Sequence, residues 1–167
     1  MLKIVTKLSE LNISQLKLVY EETINCLAKS TYADLHDNLQ ILNAEQDFYS
    51  DVNAFFCVKG AEYAVWVAEG RYISAIRLEP VDDGYLLTSF ETIPAARGKG
   101  IGKKLLSAVV EHVAHLEETC IYSHVDEMNL PSLKVHLYCG FQSLGKPAVF
   151  VDGSVHKDHI TYVFTKR

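Results

Sequence analysis

Residues 91–110 read ETIPAARGKGIGKKLLSAVV, with glycines at 98, 100 and 102. An extended run ending at Pro94 precedes them. A helical run follows, because Ile101, Leu105, Val109 and Val113 recur at four-residue spacing and predict a helix over 99–116. The first turn of a helix carries amides with no internal acceptor and a partial positive charge, so it attracts anions. Glycines let an oxygen approach those amides and supply φ > 0 where a cradle needs it. The stretch therefore reads as strand, anion cradle, helix, with Arg97, Lys99, Lys103 and Lys104 as flanking cations.

Two familiar cradles do not fit. A P-loop needs GxxxxGK[ST], but Arg97 stands five before Gly102 and Lys104 stands where Ser or Thr would meet magnesium. The dinucleotide fingerprint GxGxxG, begun at Gly98, finds Lys103 in place of its third glycine. A glycine-rich turn ahead of a surface helix remains the plain alternative at this level.

The rest of the chain supplies context. Its 167 residues suit one domain, 1–167, large enough to bury a core. Hydrophobic residues at 49% and charged residues at 22% describe a globular chain rather than a disordered one. A net charge of -5 argues against nucleic acid, whose binders present a basic face. Cys26, Cys57, Cys120 and Cys139 contain no CxxC pair and suit reduced thiols, so a cytoplasmic protein is expected. The N-terminus turns polar too early for a signal peptide, and no apolar run approaches the ~18 residues of a membrane span.

Along the chain, LKIVT reads as a strand and residues 8–29 as one or two amphipathic helices. Residues 31–57 read as loop-rich and partly helical. EYAVWVAEG, RYISAIRLEPV and GYLLTSFETI form three antiparallel strands joined at Glu69-Gly70-Arg71 and at VDDG. CIYSHVD is a strand, NLPSLKVHLYC a helix, and AVFVDG and HITYVFTK are closing strands. The expected class is α+β, with one mixed, mostly antiparallel sheet of about seven strands flanked by helices.

With this order of elements, Arg97, Gly100 and Gly102 match the R/Q-x-x-G-x-G/A signature, and the chain resembles the GNAT superfamily of acyl-CoA-dependent N-acyltransferases. Asn129, Ser132, His136, Gly140 and Phe141 match a second signature, N-x-x-[A/S]-x-x-x-[Y/H]-x-x-x-G-F. Its SLKVHLYCGF form is similar to phosphinothricin-type acetyltransferases. The resemblance implies acetyl-CoA as acyl donor and a small-molecule or peptide amine as acceptor, with dimers common among relatives. It implies that Phe90 and Thr92 offer backbone groups to the pantetheine arm. The amides of Gly98, Lys99, Gly100, Ile101, Gly102 and Lys103 would hold the diphosphate, with Arg97, Asn129 and Ser132 completing the cofactor set.

Acyl transfer to an amine needs a neutral amine, a partner for the developing oxyanion, and a way for the thiolate to leave. By resemblance Glu91 is the candidate base, and a main-chain N–H near Thr92 meets the oxyanion. Many relatives carry a tyrosine that protonates the thiolate where this chain has His136. Helical phasing puts Asn129, Ser132 and His136 within ~60° of one another, and Tyr138 about 180° from Asn129. Neutral imidazole can donate one N–H to sulfur, and a structural histidine is the competing reading.

Other side chains take plainer readings. His112 and His115 stand three apart with no HExxH, and no metal is expected. His156 and His159 read as turn and strand-edge residues. His124 is a candidate for the amine pocket or an alternate base. Cys139 reads as a small buried filler. Tyr32, His36, Phe48, Tyr49 and Phe55 could line the acceptor pocket or pack. A non-catalytic acyl-CoA sensor of the same fold, permitted by His136, stays open beside the enzyme.

Overall fold

The computed structural model describes residues 1–115, 120–150 and 153–165. The end of the predicted helix at 116 and positions 151, 152 and 166 of the last two predicted strands lie outside the described residues.

The β-branched and aromatic runs of residues 62–92 make the centre of the sheet. β2 (Glu62–Ala68), β3 (Arg71–Val81) and β4 (Gly84–Thr92) form the antiparallel meander that their turns predict. β1 (Leu2–Val5) adds to β2, and β5 (Cys120–Asp126) runs parallel to β4. β7 (Val155–Thr165) pairs with β5, and β6 (Gln142–Val149) closes the far edge, giving the order β1-β2-β3-β4-β5-β7-β6. Thus one mixed seven-stranded sheet forms among the described residues. β6 begins well before the predicted start at 148. It is an edge strand with only Ala148 buried and with Pro147 inside it, so no apolar alternation marks it in the sequence.

Helices cover both faces. α1 (Ile13–Val19), α2 (Glu21–Thr31) and α3 (Asp37–Phe55) pack on one, where Leu16, Ile24, Ala44, Val52 and Phe55 meet Tyr63, Val65 and Ala75. α4 (Ile101–Ala114) and α5 (Leu130–Tyr138) pack on the other. There Leu105, Leu106, Val109 and Val113 meet Ala64, Ile76, Leu78 and Phe141. α3 corrects the loop-rich expectation for 31–57, since it is one helix of 19 residues. Ile41, Ala44, Phe48, Val52 and Phe55 recur every three or four positions and face the core. Alanine and interleaved polar residues dilute that stripe in the sequence.

One irregularity positions everything that follows. β4 and β5 pair only from Gly84↔Cys120 to Leu87↔Ser123, although β4 continues to Thr92 and β5 to Asp126. Between Thr88, opposite Arg77, and Glu91, opposite Ala75, β4 carries one residue more than β3. Ser89 takes φ 50° inside that bulge. A bulge bends its strand and sharpens the local twist, so the two central strands part from this point on.

Candidate active site

The turn after β4 and the start of α4 face the opening. Gly98 and Gly100 have φ of 74° and 76°, a conformation that costs a residue with a Cβ about 1–2 kcal/mol. Gly102 serves another need: a Cβ there would lie 3.3 Å from Phe90 Cζ and 3.5 Å from Thr92 Oγ1. Its bareness lets α4 close onto β4. Gly100 is the N-cap of α4 and no side chain caps the helix. Arg97 N donates to Pro94 O (3.2 Å), Lys99 N to Ala96 O (3.4 Å) and Lys104 N to Gly100 O (3.0 Å). The amides of Gly98, Gly100, Ile101, Gly102 and Lys103 find no acceptor among the described residues. Unpartnered N–H donors at a helix N-terminus and in the turn before it suit an anion.

A groove of about 380 Å³ opens beside Gly98 and Gly102, between α4, α5 and β4. Phe90, Thr92, Arg97, Gly98, Gly102, Asn129 and Ser132 line it, all nominated from the sequence. Lys99, Gly100, Ile101 and Lys103 stand outside its wall. Arg97 is occupied elsewhere as well: its Nε donates to Thr92 O at 2.9 Å, and its guanidinium pairs with Glu22 at 2.6 Å. The Lys103 ammonium lies over the Tyr138 ring, 3.8 Å from its centre. Asn129 caps α5 by accepting from Ser132 N at 3.1 Å, so this residue of the second signature builds the helix that forms the groove wall.

His136 lies behind that wall. It is 1% exposed, set edge-on between Phe90 and Phe141. Its Nδ1 donates to Ser132 O at 2.8 Å, which fixes the tautomer, because a carbonyl has no proton to give. Nε2 is then a lone pair, buried and without a hydrogen-bond partner. Burial pushes the imidazole below its ordinary pKa, against the pull of the Ser132 bond, so the neutral form prevails.

Glu91 faces the opposite side of the sheet from Phe90 and Thr92, toward α2. Its carboxylate accepts from the Thr23 hydroxyl, and its main-chain oxygen from Ser74 Oγ at 2.5 Å. Burial raises the Glu91 carboxyl above the ordinary range. The Thr23 hydroxyl and the Arg97 charge oppose that rise, and Glu22 adds to it. Tyr20 donates to Ser89 O at 2.5 Å, which fastens α2 to the bulge. Beside them a cavity of about 170 Å³ is lined by Tyr20, Thr23, Phe48, Asp51, Arg77 and Ser89. Arg77 is buried there. Desolvation works against its charge, but Tyr63 and Asp51 hold it and its pKa ends raised.

Of the aromatic residues singled out in 31–57, Phe48 reaches this cavity and stacks against Tyr20, with ring centres 5.5 Å apart. Phe55 packs in the core, Tyr32 bonds Asp47, and Tyr49 and His36 are exposed. His124 has both ring nitrogens engaged, by Val149 O at 2.9 Å and Thr161 Oγ1 at 3.2 Å, and it lines a separate cavity of about 350 Å³. His112 meets Glu62 at 2.8 Å. Sequence reasoning missed Tyr20, Thr23, Ser74, Asp51 and Arg77. Arg77 alone carried a signal, as a charge set directly between the apolar Ile76 and Leu78.

The fold is widely shared. An acetyltransferase from Streptococcus agalactiae superposes with a TM-score of 0.67 at 20% identity, over 99% of this chain and 98% of that one. The PaiA N-acetyltransferase from Thermoplasma acidophilum, solved in complex with coenzyme A, superposes at 0.64 and 16% identity over 99% of each. The ribosomal-protein-S18-alanine N-acetyltransferase from Escherichia coli superposes at 0.62 and 14% identity, over 99% of this chain and 94% of that one. No curated protein matches the chain significantly. Residues 22–141, which hold the bulge, the bare amides and both walls of the groove, match the model of the acetyltransferase (GNAT) family, and the chain belongs to that family.

Proposed function

We propose that this chain moves an acetyl group from acetyl-CoA to a primary amine, by direct attack within a ternary complex. The observation that carries the proposal is the set of unpartnered amides in the turn before α4 and in its first turn, two of which, Gly98 and Gly102, open on a groove lined by Phe90 and Thr92 of the part of β4 that β5 leaves unpaired. The residues fit the donor: five N–H groups for a diphosphate, and an extended edge at Phe90–Thr92 left unpaired by β5 for an amide-bearing arm. Acetyl-CoA supplies an acyl thioester already activated toward amines.

The chain's own groups then divide the work. Glu91, half-buried and held by Thr23, takes the proton of an incoming ammonium, directly or through water, from the α2 side. A main-chain N–H beside Thr92 meets the charge that develops on the acyl oxygen. His136 has committed its donor to Ser132, so we assign it the support of Phe90 rather than proton donation. A thiolate with ordinary pKa near ~8.5 is a tolerable leaving group without it. The likeness of the second motif to phosphinothricin-type enzymes, with histidine at this point, supports a sulfur end that works without a tyrosine.

The acceptor would be a small-molecule or peptide amine entering by the cavity at Thr23, Phe48 and Asp51. Thiol release from acetyl-CoA across a panel of amines tests the assignment. Turnover with at least one amine is expected. Binding of acetyl-CoA with no release for any of them would favour the second reading, a sensor that keeps the cradle, which the unavailing donor at His136 supports.

A further inference from the structure

At the same end of the sheet as the parted β4 and β5, where His159 pairs with Asp126 at the end of β5, β6 and β7 slip out of register. Pro147 pairs with Ile160 while the next residue, Ala148, pairs with His156, so residues 157–159 have no partner on β6, although His159 stays paired with Asp126 of β5. In a regular strand His156 and His159 would point to opposite faces. The slip instead brings a ligand atom from each of His156, Asp158 and His159 to within 4.8 Å of one another. Phe150 fixes the two rings: its centre lies 4.7 Å from His156 and 6.0 Å from His159, and the imidazoles sit 5.7 Å apart. Asp158 Oδ1 is already 3.1 Å from His159 Nδ1.

We propose that His156, Asp158 and His159 bind one divalent transition-metal ion of the zinc class, with the fourth position left to water. Two imidazoles and a carboxylate suit zinc, nickel, cobalt or copper; they are a poor set for calcium or magnesium, which take oxygen ligands. Zinc bonds of about 2.0–2.1 Å put tetrahedral donors roughly 3.4 Å apart, so the three side chains must draw in by about an ångström. His156 and Asp158 are exposed and free to do so, and His159 is half-buried. The nearby His124 is not a fourth ligand, because Val149 O and Thr161 Oγ1 occupy its nitrogens. Metal binding here does not require acyl transfer, although Glu127 N donates to Asp158 O at 3.2 Å two residues before Asn129 of the groove wall.

The test uses the full chain with no histidine tag, stripped by a chelator and titrated with zinc chloride by calorimetry, and with cobalt chloride by its visible absorption. One ion per chain with an affinity on the order of micromolar is expected, together with a rise in melting temperature that follows zinc concentration. His156→Ala and Asp158→Asn alter exposed side chains and should each weaken zinc at least tenfold, while His112→Ala leaves affinity unchanged. Circular dichroism of the metal-free variants checks folding, and either variant alone suffices if the other misfolds. Absence of binding at millimolar zinc overturns the proposal. So does zinc binding that both variants retain at full strength.

Discussion

The Thr23 hydroxyl on α2 donates to the Glu91 carboxylate on β4, one residue pair past the Ser89 bulge. The contact joins β4 just past its bulge to the helix that covers it, and it works against burial at a carboxyl on the stretch of β4 that β5 leaves unpaired. Burial drives that carboxyl up while Thr23 holds it down. The balance defines the first expectation.

Thr23→Val keeps the shape of the side chain and removes the hydrogen bond. The Glu91 carboxyl should then rise further, because the interaction that favours its charged form is gone. If ionised Glu91 is the base, the acid limb of the kcat/KM profile should move to higher pH, with the plateau little changed. An unmoved limb would detach Glu91 from the observed ionisation.

Glu91→Gln should lower turnover by about 10²–10³ near neutrality, and by less at high pH where free amine is abundant. Stability should change in the opposite sense. A carboxyl whose folded pKa is raised above the ordinary 4.5 binds its proton more tightly folded than unfolded. Its contribution is complete below 4.5 and is lost as pH climbs through the raised value. Glu91→Gln should therefore melt near wild type in acid and above it in alkali. A melting difference that is flat in pH would show that burial of this carboxyl has been misjudged.

Much of this arrangement is legible in the sequence, and the reason lies in particular residues. The helix at Ile101–Ala114 announces itself by its four-residue apolar spacing, and the meander from Glu62 to Thr92 by β-branched and aromatic runs broken at turns, with β2 and β3 buried on both faces. The glycines are legible too, although their reasons differ: Gly98 and Gly100 meet a backbone need, and Gly102 a steric one. α3 is hidden because its core face relies on Ala44 and partly buried Ile41 and Phe48. The acceptor side is hidden for a deeper reason. Thr23, Asp51 and Arg77 meet only after three elements pack, and nothing in local pattern marks Ser89 for a left-handed backbone.

His136→Leu removes an imidazole whose donor serves a helix carbonyl and whose Nε2 is an unpartnered buried acceptor. Deleting an unsatisfied polar atom offsets the lost bond, so stability should change by less than about 1 kcal/mol. Turnover should fall less than about threefold, whereas loss of a true general acid costs about 10²–10⁴. Steady-state kinetics at pH 7 and 9 decide between these roles.

Gly102→Val places a branched side chain against Phe90 and Thr92 at the groove's head. Donor affinity should drop at least tenfold while the exposed Lys99→Ala, outside the groove wall, changes it less than about threefold. Equal losses in the two variants would mean that side-chain charge, not access to the backbone, governs binding.

The most direct measurement compares coenzyme A with pantetheine, which lacks the diphosphate and nucleotide, by calorimetric titration into the intact chain. If the free amides between Gly98 and Lys103 grip the diphosphate, coenzyme A should bind one per chain with micromolar affinity, and pantetheine at least a hundredfold more weakly. Pantetheine binding as tightly as coenzyme A, or coenzyme A failing to bind at millimolar concentration, would contradict the account at its root.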